Sequence, residues 1–421
     1  MMLQLLLPAQ ESDIKGDYYK EDYVRYYDKT YALNIHSVTL HNTSFELSDP
    51  ILKLGSDENL LLAFDDFEGG VKNFKFTLIH CSSDWHPSDL QVQEYLQGYT
   101  DDYIRDYKFS FNTLQSFTHY QVKFPNEDIK VIKPGNYIIM IYPENSKDTP
   151  LITRRFYVCE TKCRIAGQVR QAIDLEERYS RQQVQFSVFA DGMQFVNPFN
   201  NVKVSIMQNG RLDNMITNLK PLMTKGGELD YNHINGNVFD GGNEFRHFDI
   251  KSVKYTSDRT ARIDASGQFY SIWLMKDERR SSKVYVTDDD INGRYLVKTT
   301  DSDDSDADAD YVDVHFTLPF SPYISNGNLY LMGECTNWQL SKDAMMNYNF
   351  ERKEYQATLH LKQGYYNYQY VFLENGSKVA DVGYIEGNHF ETKNVYSIFV
   401  YYQEPGTRYE KLIGIQQLIS K

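Results

Sequence analysis

Six aspartates within ten residues are the densest set of metal-capable side chains in this sequence. They are Asp301, Asp303, Asp304, Asp306, Asp308 and Asp310. A calcium loop supplies about six to eight oxygen ligands and needs a glycine for its sharp turn and a closing glutamate. The run at 301–310 contains neither, and its like charges repel one another. We therefore predict an exposed acidic linker or loop over residues 301–310, without a metal site.

A second metal-capable group lies in the segment HCSSDWH, which contains His80, Cys81, Asp84 and His86. Structural zinc sites usually combine two spaced pairs of ligands, and the sequence has no second pair. His80 ends a run of alternating apolar residues, which favours a strand end followed by a turn, with Trp85 as a packing residue. We predict neither a metal nor a cofactor.

The motifs of nucleophilic and metal-assisted catalysis are absent from the sequence. It contains no G-x-S-x-G elbow, no H-E-x-x-H helix and no glycine-rich phosphate loop. Paired carboxylates, as in glycosidases, leave no local signature, so missing motifs do not by themselves exclude an enzyme. We predict a non-enzymatic protein, and a hydrolase without local motifs is the alternative.

Aromatic residues near the C-terminus point to a different chemistry. Residues 328–338 read NLYLMGECTNW and residues 364–372 read GYYNYQYVF. This order of strand, turn and aromatic strand resembles the early-set sandwiches of glycogen-binding modules, in which exposed rings stack on sugars. Trp338, Tyr365 and Tyr366 are the candidate ligand or partner contacts. The alternative is that Trp338 packs within or at the edge of the sandwich.

Period-two alternation over short runs dominates the rest of the chain. Apolar and polar residues alternate over most of 74–79 and 202–207, up to Ile79 and Met207, and throughout 312–318 and 355–361, as in strands with one buried face. Asn209-Gly210 follows one such run and predicts a turn, because both positions tolerate positive φ. We predict an all-β fold of tandem immunoglobulin-like or early-set β-sandwich domains.

Composition shifts divide the chain into segments. We predict a possible signal-peptide remnant at 1–14, an N-terminal β-sandwich at 15–160, a middle β-rich domain at 161–300, the acidic linker at 301–310, a C-terminal early-set-like sandwich at 311–405 and a tail at 406–421. The apolar start lacks the basic region of a complete signal peptide, so an ordinary terminus is equally compatible with it.

Charge and hydropathy limit the partners. The formal net charge is −14 among 421 residues, and nucleic-acid binding requires clustered positive charge. No stretch approaches the roughly 20 apolar residues of a membrane-spanning helix. Four cysteines in a chain of this length are not a disulfide framework. We predict no nucleic-acid partner and no direct membrane span.

Several longer strings resemble the plug proteins of the type IX secretion system of Bacteroidota. They include FKFTLIHCSSDWHPSDL at 74–90, DYKFSF at 106–111, VSIMQNGR at 204–211, GGNEFRHFDIK at 241–251 and DDINGR at 289–294. The resemblance extends from about residue 20 to residue 414. Within the fourth string, Arg246 and Asp249 could pair inside the fold.

The resemblance implies a periplasmic, non-enzymatic protein without cofactors. Its partner would be the giant outer-membrane β-barrel translocon, whose pore it would block when no cargo shuttle is bound. A glycan-binding protein of the cell envelope is the alternative, resting on Trp338, Tyr365 and Tyr366.

Overall fold

The described residues form three β-sandwiches in a computed structural model that covers Val24 and residues 26–420. The possible signal-peptide remnant at 1–14 lies outside the described residues. Almost all regular structure in the described part is β-strand, and paired sheets share each apolar core. The predicted all-β fold of tandem sandwiches is confirmed.

The first sandwich contains twelve strands and one helical turn. These are β1 (Lys29–Thr30), β2 (Ile35–Asn42), β3 (Ile51–Lys53), β4 (Leu60–Asp66), β5 (Phe74–Cys81), α1 (Val92–Tyr95), β6 (Leu96–Gly98), β7 (Asp101–Tyr103), β8 (Asp106–Phe109), β9 (Thr118–Phe124), β10 (Ile129–Val131), β11 (Gly135–Pro143) and β12 (Ile152–Cys159). One sheet has the order β1-β12-β11-β5-β7, with β3 on β12, and the other has the order β2-β4-β9-β8. Phe64, Phe76 and Tyr137 are fully buried between them, and the alternation at 74–79 predicts this for Phe76.

The following segment begins a second sandwich. It contains β13 (Cys163–Gln171), β14 (Arg181–Ala190), α2 (Pro198–Asn201), β15 (Val202–Gln208), β16 (Ile216–Leu219), β17 (Met223–Lys225), β18 (Glu228–Asp230) and β19 (Val238–Asp240). Asn209 and Gly210 both have positive φ after β15, so the predicted turn is confirmed.

A third sandwich follows before the second is complete. It contains β20 (Arg246–Asp249), β21 (Thr260–Asp264), β22 (Tyr270–Leu274), β23 (Tyr295–Val297), α3 (Ser305–Asp308), β24 (Tyr311–Pro319), β25 (Gly327–Met332), a 3-10 turn (Glu334–Thr336), β26 (Asn347–Asn349), β27 (Glu354–Lys362), β28 (Gly364–Glu374) and α4 (Gly383–Glu386). Its larger sheet has the order β21-β22-β24-β27-β26, and the other is built on β28.

The last two strands return to the second sandwich. They are β29 (Val395–Tyr402) and β30 (Lys411–Ile419), and they complete a sheet in the order β16-β15-β29-β30. The structure therefore differs from the predicted boundaries at 161–300, 311–405 and 406–421. The third sandwich is inserted between β19 and β29, and the predicted tail contains a core strand. Pairing between β15 and β29 links residues far apart in sequence, which composition shifts do not reveal.

The acidic run at 301–310 is a loop between β23 and β24 of the third sandwich, so it is not a linker between domains and it is not fully exposed as predicted. Residues 305–308 form α3, and Ala307, Ala309 and Asp310 are buried. The Asp310 carboxylate accepts hydrogen bonds from the backbone N–H groups of Leu114 and Gln115, at 2.7 and 3.1 Å. The segment docks on the first sandwich because these amides compensate its charge locally.

Candidate partner-binding surface

Tyr366 lies in the core of the third sandwich and not on its surface. Its ring is stacked between Phe248 and Tyr295, with centroids 5.1 and 5.2 Å away. Its hydroxyl donates to the backbone carbonyl of Lys362. Only 1% of the residue is exposed, so Tyr366 cannot stack on a sugar. Its interpretation as a ligand contact is wrong.

Tyr365 and Trp338 are half-buried at two different places. Tyr365 points to the opposite face of β28 from Tyr366, because side chains alternate along a strand, and it stacks on His247 at 5.7 Å. Trp338 packs edge-on against Phe245 at 6.0 Å. The three predicted aromatic residues therefore do not form one exposed platform.

Trp338 occupies a junction between sandwiches. Its backbone has φ 55°, in the left-handed region, and its indole lies over Gly293 and Gly210. A Cβ on Gly293 would lie 2.3 Å from the ring. Trp338 also lines a cavity of about 110 Å³ together with Arg154 and Arg155 of the first sandwich. This placement is that of a packing residue, the alternative interpretation of the sequence.

A buried ion pair joins the first and third sandwiches. Lys362 Nζ lies 2.6 Å from Asp65 Oδ2, which also accepts a hydrogen bond from the Tyr311 hydroxyl at 2.6 Å. His119 Nδ1 lies 2.7 Å from Asp65 Oδ1. Burial alone would raise the pKa of Asp65, but Lys362 and His119 outweigh it and hold the pKa below its ordinary value. The carboxylate is therefore charged and fully compensated at this interface.

An apolar interface joins the first and second sandwiches. Trp85, Tyr157 and Cys159 of the first form one buried cluster with Phe399 and Leu412 of the second. Tyr157 stacks on Phe399 with centroids 4.5 Å apart. Interiors of this kind resist relative motion because the side chains interdigitate at crystal-like density.

A network of buried ion pairs connects three segments of the third sandwich. The guanidinium of Arg246 contacts Glu386 and Asp277, both at 2.9 Å. Asp249 does not contact Arg246, because residues three apart in a strand point to opposite faces; it pairs with Lys251 at 2.8 Å. The interpretation of Arg246 and Asp249 as a pair is wrong, although Arg246 is indeed paired inside the fold.

The HCSSDWH segment is built for packing. His80 is buried, with Nδ1 2.8 Å from the Ser88 hydroxyl and Nε2 3.2 Å from the Pro134 carbonyl oxygen. Within the described part of the chain, no group of three or more His, Cys, Asp or Glu side chains is arranged to hold a metal ion. Across the same residues, no helix is both long and apolar enough to cross a membrane.

An exposed aromatic surface lies on β8 and the loop after it. Tyr107, Phe109, Phe111 and Leu114 are 40, 55, 73 and 50% exposed. Tyr107 and Phe109 contact each other at 5.7 Å, and β8 is the last strand of its sheet. We call these four residues the β8 shelf. Clustered exposed apolar side chains of this kind mark candidate protein-binding surfaces.

Comparison with known proteins identifies the family. Residues 35–160, which contain the β8 shelf, match the family described as the first domain of the type 9 secretion system plug protein. A crystal structure of a hypothetical protein from Parabacteroides merdae is 34% identical to this chain, with a TM-score of 0.91. The comparison covers 94% of this chain and all of the other. By its first domain, the chain belongs to the type IX secretion system plug protein family. No match was found among curated proteins.

Family membership assigns the chain to a secretion machinery, and the plug family is known as a structural component and not as an enzyme. The predicted resemblance is therefore confirmed. The Parabacteroides protein shows that the arrangement of all three sandwiches is common to both chains.

Sequence reasoning missed two features of this plug-family chain. Asp65 and Lys362 are 297 residues apart, and no local pattern reveals that they meet. The aromatic alternation of DYKFSF at 106–111 was visible. The exposure of these rings was not visible, because an edge strand that no other sheet covers shows the same alternation as a covered one.

Proposed function

We propose that this protein is a periplasmic plug that docks on the giant outer-membrane β-barrel translocon of the type IX secretion system. It blocks the pore when no cargo shuttle is bound, and it does so without catalysis. The observation that carries this proposal is the match of the first sandwich to the plug-domain family, together with a relative similar over its full length.

The architecture supports this proposal. A body that obstructs a wide pore must keep its shape under load. Here the sandwiches contact one another through a compensated buried ion pair and an apolar cluster. A hydrogen bond also joins the second and third sandwiches. Arg211 of the second donates to the backbone carbonyl of Ala380 of the third at 3.1 Å.

Glycan binding is the alternative, and the placement of its three candidate rings does not support it. The burial of Tyr366 removes one of the three rings on which that function rests.

The decisive experiment compares cells that contain and lack this protein. Affinity purification of the translocon should recover the protein in near-stoichiometric amount. Its deletion should raise the uptake of a membrane-impermeant dye through the outer membrane, and a plasmid-borne copy should reverse that increase. Failure to co-purify, combined with unchanged dye uptake, contradicts the proposal.

A further inference from the structure

The hydrogen-bonding pattern between β8 and β9 leaves two residues of β8 with backbone N–H and C=O groups that point away from β9. Ser110 donates from its backbone N–H to the Phe117 carbonyl at 2.9 Å, in register with the pairing of β8 and β9. Hydrogen-bonded and non-hydrogen-bonded pairs alternate along an antiparallel ladder. Lys108 therefore directs its backbone groups towards β9, whereas Tyr107 and Phe109 direct theirs away from the sheet. Within the described chain, no strand pairs with this outer edge of β8.

The chain itself occupies the next outward position. The backbone N–H of Phe111 donates to the Ala307 carbonyl at 3.1 Å, so the acidic segment 301–310 already provides a carbonyl acceptor at the end of the same edge. The backbone of Leu114 is likewise bound by Asp310. Among the described residues, none bonds to the outward backbone groups of Tyr107 and Phe109.

The two open positions also bear exposed aromatic rings. Tyr107 and Phe109 lie on the face of the sheet that carries the buried Tyr120, since Tyr107 is paired with Tyr120. Both rings are partly exposed, so no sheet formed by the described residues covers them fully. An incoming strand would therefore find backbone partners and an apolar surface at the same residues, the combination used in strand addition.

Charge defines the chemistry of that strand. Among the described residues, only Lys108 and Lys254 lie within 4.0 Å of carboxylates in the run at 301–310, with its six aspartates. Asp303 is exposed. The open edge is thus bordered by surplus negative charge, which favours a basic neighbour.

We propose that the open edge of β8 binds an extended segment of the translocon, with alternating apolar residues and a flanking lysine or arginine. The inference rests on the proposed function. The segment adds as a strand beside Tyr107 and Phe109, packs its apolar side chains on the β8 shelf and places its basic residue near Asp303.

Two variants separate backbone pairing from side-chain packing. Tyr107→Pro removes an outward N–H without removing a hydrogen bond to β9, and proline is tolerated on edge strands. The double variant Y107T/F109T removes both rings and keeps residues that suit strands. Met223→Thr is the matched control, because Met223 is 54% exposed on β17, the edge strand of a different sheet.

The readout is the amount of plug that co-purifies with the affinity-tagged translocon. Both β8 variants should lower it by about tenfold, the effect of losing roughly 1.4 kcal/mol, and Met223→Thr should leave it unchanged. A benzophenone amino acid at position 109 of the otherwise unaltered chain should crosslink to the translocon, and one at position 223 should not. This second measurement does not depend on how well a β8 variant folds.

The outcomes separate the two proposals. If the unaltered chain co-purifies, but Tyr107→Pro is retained equally well and position 109 gives no crosslink, the β8 inference is overturned and the plug function stands. If the unaltered chain itself is not recovered with the translocon and its deletion leaves dye uptake unchanged, the plug function is overturned.

Discussion

At the scale of the residue, His80 is a histidine that burial keeps neutral, so that it serves packing and not metal binding or proton transfer. The imidazole sits between a hydroxyl and a carbonyl oxygen, an arrangement that a neutral ring satisfies with one donor and one acceptor. Burial lowers its pKa to about 4. A metal-capable residue thus serves as a neutral core group.

We expect this histidine to make stability depend on pH. Between pH 6.5 and about 4 the unfolded histidine binds a proton and the folded one does not, so acid favours unfolding. The contribution of His80 to the free energy of unfolding should fall by about 3 kcal/mol across that window. Urea unfolding at pH 7 and pH 4.5 measures it.

His80→Asn should remove most of this dependence. His86→Gln is the control, because the His86 side chain is 79% exposed, and it should behave like the unaltered chain. Equal pH dependence in the two variants would contradict the assignment.

The cysteines make a second residue-scale prediction. Cys81 and Cys163 are free and buried, and burial raises the pKa of both thiols to about 12. Because the thiolate is the reactive form, Ellman's reagent at pH 8 should not react with them in the native protein. Both should react promptly in denaturant; rapid labelling of native Cys81 would be inconsistent with this burial.

At the scale of the element, β30 is the strand that sequence reasoning placed in a tail. Ile413 is 1% exposed in the core of the second sandwich, whereas Ile419 on the same strand is 68% exposed. Ile413→Ala should lower the free energy of unfolding by about 2–5 kcal/mol. Ile419→Ala should change it by no more than about 0.5 kcal/mol. Chemical denaturation of the pair tests whether β30 is a core strand; similar losses would argue against it.

Strands were predictable because alternation is local. The runs at 74–79 and 202–207 are visible in the sequence and become β5 and β15. Which strands pair was not predictable, since the union of β15 with β29 spans the whole third sandwich. The exposure of the acidic run at 301–310 was predicted incorrectly for a related reason. Its charge indicates solvent exposure, but its partners Lys108, Leu114 and Gln115 come from another sandwich.

The candidate site, too, was only partly predictable from the sequence. Aromatic content pointed to Trp338 and Tyr366, yet residue type alone does not distinguish a core ring from an exposed one. The β8 shelf is defined by where its sheet ends, a property of the assembled fold.

At the scale of the whole molecule, the Asp65–Lys362 pair governs how the first and third sandwiches stay together. Asp65→Asn leaves Lys362 as a buried cation without its carboxylate, and breaking a buried pair costs about 3–5 kcal/mol. Asp303→Asn, at an exposed position, is the control. Thermal unfolding and limited proteolysis should show earlier melting and faster cleavage for Asp65→Asn alone.

This pair also makes the free energy of unfolding decrease at low pH. The folded pKa of Asp65 is lowered, so its contribution is present above the unfolded pKa of about 3.9 and is lost as pH falls through the folded value. Asp65→Asn should lack this loss. An unchanged acid limb of the stability curve would show that the folded pKa of Asp65 is not lowered.

The insertion of the third sandwich between β19 and β29 has a consequence for biosynthesis. A ribosome completes the first sandwich with β12, but β15 must wait for β29 while the residues between Gln208 and Val395 are made. At about 5–20 residues per second this takes roughly 9–37 s. Through that interval the nascent chain carries an unpaired apolar strand edge. It should therefore engage a holding chaperone, and messages truncated before codon 395 should yield products that aggregate.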